Sequence, residues 1–160
     1  MLERAAAVLE ACRRRGLRLV TAESCTGGLV VATLTEIAGS SDVVERGFVT
    51  YSNAAKEELL GVPHALLDAH GAVSEPVARA MAEGALARVA AAQLSVAVTG
   101  VAGPGGATPT KPVGLVFIAA ARRSGATLGE RHLFKGDRRA VRLASVERAL
   151  ALVLQQASAS

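Results

Sequence analysis

The chain has 160 residues, 51% hydrophobic and 20% charged, enough apolar content to bury a core and too short for two ordinary domains. Three Phe, one Tyr and no Trp exclude a single-stranded nucleic-acid surface built on stacked aromatic platforms. The net charge of +4 is uneven: residues 122–148 hold eight basic residues against Glu130, Asp137 and Glu147, which suits either an anionic ligand or a solvated helix face.

Residues 3–15 carry helical spacing through Val8, Leu9 and Cys12, stopped by Arg15-Gly16. Leu17–Ala22 reads as a short buried strand, Glu23–Gly28 as the turn after it, and Leu29–Ala38 as a second helix closed by Gly39. Val43–Tyr51 has the β-branched and aromatic content of a strand. Asn53–Leu60 predicts a helix capped by Ser52 or Asn53 and ended by Gly61, and Pro63–Ala69 a further helical turn. A helix over Glu75–Ala92 is followed by an apolar strand, Leu94–Thr99, and then by a Gly/Pro loop. Val113–Ala121 and Thr127–Phe134 form a strand pair around Ser124-Gly125. The last helix starts near Asp137, with Leu143, Val146, Leu150 and Val153 as its core stripe and residues 157–160 frayed. Helices alternating with apolar strands, then a hairpin, predict a single α/β domain over 1–160: a three-layer α/β/α sandwich with a mixed sheet.

Cys12 and Cys25 supply neither a disulfide framework nor a metal-ligand spacing, and no His/Cys/Asp/Glu cluster suggests a metal. The start lacks the order of a signal peptide, and no run approaches the roughly 18 apolar residues of a membrane span. These features lead us to expect a soluble, cytoplasmic protein without a membrane partner.

Three irregular segments follow predicted strands, where ligands bind in open α/β sheets. In Thr21–Gly28, Ser24 lies between strand and helix, near backbone N–H groups that can stabilise an oxyanion or bind a phosphate; the alternative is that Ser24 or Thr26 merely caps the helix. In Tyr51–Lys56, a phenol at a strand end precedes an amine in the next helical turn. A desolvated lysine can serve as base to a serine nucleophile with a tyrosine relaying the proton, although a lysine beside Glu57 and Glu58 can equally be a solvated helix residue. The third segment, Thr99–Gly114, holds five glycines and three prolines, a loop that exposes amides and approaches a ligand closely. It is not a Walker A loop. His64, His70 and His132 lie beside no acid in a motif of the Ser-His-Asp kind.

Read together, Thr21–Gly28, Gly47–Asn53 with Lys56, His70–Pro76, Thr99–Pro104, Lys111–Gly114 and Phe134–Arg138 with Arg142 resemble the CinA C-terminal domain family from about residue 3 to 156. Enzymatic members of that family are nicotinamide-nucleotide amidases of the PncC type. The resemblance implies a fold like that of the anticodon-binding domains, usually assembled as a homo-oligomer. It also implies hydrolysis of the carboxamide of nicotinamide mononucleotide to nicotinic acid mononucleotide and ammonia, in pyridine-nucleotide recycling, without metal or other cofactor. Ser24 would be the acylated nucleophile, Lys56 the general base, and Tyr51 hydrogen-bonded between them. Thr26, Gly27 and Gly28, with Gly100, Ala102, Gly103 and Lys111 of the glycine loop, would contact the substrate. Where many members carry Gly-Gly-Thr-Pro-Glu-Lys, this chain has Gly106-Ala107-Thr108-Pro109-Thr110-Lys111. The larger N-terminal domain of fused CinA proteins is not in this sequence, so the resemblance implies a stand-alone amidase or one domain of a fusion.

Arg138 and Arg142, four apart on one helix face, would bind the 5′-phosphate at the start of the last helix, or else pair with Asp137 and Glu147 on the surface. The rival class is a non-catalytic nucleotide- or nucleic-acid-binding module; the absence of aromatics among the basic residues argues against nucleic acid.

Overall fold

The computed structural model describes residues 1–159. Five strands, β1 (Leu19–Glu23), β2 (Val44–Val49), β3 (Leu94–Gly100), β4 (Leu115–Arg122) and β5 (Leu128–Leu133), form one sheet in the order β2-β1-β3-β4-β5. β1 runs parallel to both β2 and β3, whereas β3–β4 and β4–β5 pair antiparallel. The mixed sheet expected from the sequence is present.

Six helices flank it: α1 (Leu2–Arg15), α2 (Leu29–Thr35), α3 (Asn53–Leu60), α4 (His64–His70), α5 (Glu75–Arg88) and α6 (Arg138–Ser158). Alternate residues of each strand point to opposite faces. Leu19, Val96, Val98, Val116 and Ile118 pack with α1, α2 and α6, while Val20, Ala22, Ala97, Ala119 and Ala121 pack with α3, α4 and α5. β1 is buried along its whole length, and so is β3 up to Gly100, because both of their faces are covered.

Three helix ends differ from the expected ones. α2 stops at Thr35, where the Thr33 and Thr35 hydroxyls donate back to backbone carbonyls of the preceding turn. α5 stops at Arg88 because the Arg123 guanidinium takes up the carbonyls of Leu86, Val89 and Ala92. The expected fraying at 157–160 begins too early: α6 is helical through Ser158, Ala157 is buried, and Gln156 donates to the Ala120 and Ala126 carbonyls at 2.7 Å each. Ser160 lies outside the described residues.

The topology gathers one edge. β1, β2 and β3 end there, β4 begins there, and β5 returns to it before α6 starts. All three irregular segments open onto that edge. Among the described residues no helix is long and apolar enough to cross a membrane.

Candidate active site

Ser24 is the first residue past β1, and strands on both sides fix the chain at this point. Its N–H donates to the Val98 carbonyl of β3 (2.9 Å), and the Thr50 N–H donates to the Glu23 carbonyl (2.8 Å). Ser24 does not cap a helix. Its hydroxyl instead meets Lys56, 32 residues further along the chain, at 3.0 Å.

Lys56 stands in the first turn of α3, which Ser52 caps by accepting from the Ala55 N–H at 3.0 Å. Helical side chains lean toward the N-terminus, so Lys56 reaches back under its own cap. The residue is 1% exposed, and its ammonium donates to the carbonyls of Thr50 (2.8 Å) and Tyr51 (3.3 Å) as well as to Ser24. It is therefore not the solvated helix residue that its acidic neighbours would allow. Burial pulls its pKa down to about 8. When the amine is neutral, its two hydrogens stay on the two carbonyls and its lone pair faces Ser24, whose hydroxyl then donates. That is the arrangement of a general base.

Cys25 is buried, and burial pushes its thiol up to about 11, so little thiolate exists near neutrality. Of the two neighbours, it is Ser24 whose side chain hydrogen-bonds the Lys56 amine.

Glu23 escaped the sequence reading. It is fully buried and accepts from the Val30 N–H (2.8 Å), the Val31 N–H (3.1 Å) and the Thr21 hydroxyl (3.2 Å). These amides belong to the start of α2, whose cap residue, Gly28, has no side chain to offer. A helix start without a Ser, Thr, Asp or Asn cap needs another acceptor, and that was the available signal. The α2 amides expected to face a ligand are thus occupied from within.

Tyr51 is corrected. Its side chain is 62% exposed, and its hydroxyl accepts from Arg138 at 3.2 Å instead of lying between Ser24 and Lys56. Thr26 is buried with an unpartnered hydroxyl, followed by Gly27 and Gly28 at positive φ.

The glycine loop is fastened at its base by Val101 and Leu115 (2.8 Å), Gly114 and Val101 (2.8 Å), and Phe134 and Gly114 (2.9 Å). Gly114 has φ 92, and a Cβ there would sit 2.0 Å from the Phe134 carbonyl oxygen, so no other residue fits. Gly100 ends β3, and Gly103 offers its carbonyl to Arg138 at 2.7 Å. Ala102 lines a cavity of about 490 Å³ with Pro104, Val113, Gly136, Asp137 and Arg139. Lys111 has its ammonium on the His70 carbonyl at the end of α4, and the structure shows no bond from it to Ser24 or Lys56.

Neither arginine pairs with the expected acids. Arg142 donates to the carbonyls of Cys25 (3.1 Å) and Thr26 (3.0 Å), while Glu147 faces Arg4 and the N-terminus. Asp137 caps α6 by accepting from the Ala140 N–H at 2.9 Å.

A family model described as the CinA C-terminal domain matches residues 2–157, nearly the whole chain. The chain belongs to the CinA C-terminal domain family. It is 55% identical over 139 residues to a CinA-like protein of Anaeromyxobacter dehalogenans, covering 87% of this chain and 34% of that one. A CinA-like protein of Akkermansia muciniphila is 52% identical over 141 residues, covering 88% and 34%. The chain thus spans about a third of the length of these curated CinA relatives. Among solved CinA structures, the competence/damage inducible protein CihA of Agrobacterium tumefaciens superposes with TM-score 0.94 at 48% identity, over 96% of this chain and 93% of that one. A CinA superfamily protein of Escherichia coli gives 0.92 at 36%, over 98% and 90%.

Proposed function

We propose that this chain is a serine amidohydrolase that converts nicotinamide mononucleotide to nicotinic acid mononucleotide and ammonia. The observation that carries the reading is the buried Lys56 amine 3.0 Å from the Ser24 hydroxyl, with its pKa lowered to about 8. Neutral Lys56 takes the Ser24 proton as Oγ attacks the carboxamide carbon. The tetrahedral intermediate collapses to an acyl-serine, and the lysine returns the proton to the departing ammonia. Water, deprotonated by the same amine, then releases the carboxylate and restores the serine. The cycle consumes one water and needs no metal or other cofactor.

The resemblance to amidases of mononucleotides supplies the substrate, and a cavity at the start of α6 supports a phosphate subsite there. The cavity beside Ala102 meets the start of α6, where Arg139 forms no hydrogen bond or ion pair among the described residues. Arg138 lines the same cavity, although it also holds Gly103 and Tyr51. The alternative, a non-catalytic nucleotide- or nucleic-acid-binding module, draws less support. Arg122, Arg123, Arg138 and Arg142 are engaged with backbone carbonyls, and Arg148 with Glu130, so much of the basic segment works inside the molecule.

The test is ammonia release from nicotinamide mononucleotide by the purified protein and by Ser24→Ala. Release is expected from the first alone, with nicotinamide riboside a poor substrate. Equal release by both proteins would overturn the assignment.

A further inference from the structure

Ser24's own N–H cannot serve an oxyanion, because Val98 of β3 already accepts it. The first two amides of α2 past Leu29 are equally unavailable, since Glu23 takes them. In the turn itself the amides of Cys25, Thr26 and Gly28 donate to no other residue among the described residues, and those of Cys25 and Thr26 follow the nucleophile directly.

Their directions are set by the carbonyls across each peptide, because C=O and N–H of a trans peptide point in opposite directions. The Ser24 carbonyl accepts from the Gly27 N–H at 3.0 Å, which turns the Cys25 N–H the other way. The Cys25 carbonyl accepts from Arg142 Nε, which turns the Thr26 N–H away from the guanidinium. A second bond, from Arg142 Nη2 to the Thr26 carbonyl, makes the grip two-pronged. Arg142 comes from α6, 117 residues away, so the last helix clamps the turn that carries the nucleophile.

Resting on the amidase reading above, we infer that Arg142 is a positioning residue rather than a phosphate ligand: it holds the Cys25-Thr26 backbone so that the free amides of this turn, that of Cys25 first, are set for the oxyanion. Its charge adds to the effect, since a guanidinium on the two carbonyls polarises the peptides and strengthens their N–H donors. Such donors act on the transition state more than on bound substrate, so their loss falls on kcat.

The experiment is steady-state kinetics of ammonia release from nicotinamide mononucleotide for wild type, Arg142→Ala and Arg142→Lys, each at several pH values. Removing one such donor elsewhere costs about a hundredfold or more in kcat, and Arg142→Ala is expected to lose about that, with KM within about threefold. Arg142→Lys, which keeps the charge but not the fork, is expected to fall in between. The midpoint of the pH profile stays with Lys56 in every variant. Should Arg142→Ala fail to fold, Arg142→Lys carries the same test. A kcat unchanged in the variants that fold, or a loss confined to KM for the mononucleotide and absent for the riboside, would overturn the inference and return Arg142 to phosphate binding. Hydrolysis that persists in Ser24→Ala would remove the amidase reading itself, whereas Ser24-dependent hydrolysis indifferent to Arg142 removes only this inference.

Discussion

A lysine amine kept out of water holds its proton weakly, and at Lys56 this affects stability as well as chemistry. The unfolded chain keeps this proton to about 10.5 and the folded chain only to about 8. Between those values the unfolded state binds more protons, so stability rises with pH, by about 3 kcal/mol across the window. Below it the lysine is charged in both states and the penalty is constant. Cys12 and Cys25 act oppositely: burial raises both thiols from 9.0 to about 11, so the stability they contribute is lost as pH rises through that range. Urea unfolding of wild type and Lys56→Met at pH 7.5 and 10 separates the two effects, since the cysteines remain in both proteins. Wild type is expected to gain on the variant as pH rises; a constant difference would contradict the lowered pKa. Tyr51→Phe is expected to keep kcat within about fivefold, because losing one hydrogen bond of roughly 1 kcal/mol on an exposed hydroxyl leaves the Ser24–Lys56 pair intact. A loss as large as that of Lys56→Ala, measured in the same assay, would put the phenol back in the proton path.

At the scale of elements, the site depends on how helices dock as much as on which side chains they carry. α3 delivers Lys56, and it lies against α5 at Gly84, where an added Cβ would come within 2.0 Å of the Leu60 carbonyl oxygen. Gly84→Ala must push α3 outward, so it is expected to cost at least 1–3 kcal/mol, roughly the range for overpacking, and to reduce kcat by displacing Lys56. Denaturant unfolding together with kinetics checks both effects, and a stable, fully active variant would show that α3 can move without harm. Glu23→Gln tests α2. An amide offers one acceptor oxygen to the two helix N–H groups, so about 1–3 kcal/mol of stability is expected to be lost. The bounds of α3 and the start of α6 near Asp137 were readable because they follow from local propensity and spacing, and the structure settles the α3 cap on Ser52 rather than Asn53. The early ends of α2 and α5 were not, since a remote guanidinium and threonine back-bonding decide them.

For the whole molecule, the five-stranded mixed sheet brings the ends of β1, β2 and β3 to one edge, and this places Ser24 beside Lys56 although the chain separates them by 32 residues. The sequence showed the α/β/α layers through alternating apolar strands and helices, and the motif order indicated the CinA family. It also marked Ser24 and Lys56, because each sits at a strand-to-helix junction. The contacts of Tyr51 and Arg142 were not legible because their partners lie 87 and 117 residues away, whereas Glu23 was missed although the uncapped start of α2 was a local signal for it. The basic C-terminal segment, read as suiting either an anionic ligand or a solvated helix face, instead holds Arg122, Arg123, Arg138 and Arg142 on backbone carbonyls. The central claim, that a buried neutral lysine activates Ser24 for amide hydrolysis, is tested most directly by kcat/KM for ammonia release from nicotinamide mononucleotide between pH 6 and 9.5. The account predicts a rise with a midpoint near 8, the value to which burial brings Lys56. A profile flat across that range, or no ammonia above the Ser24→Ala control at any pH, would contradict it.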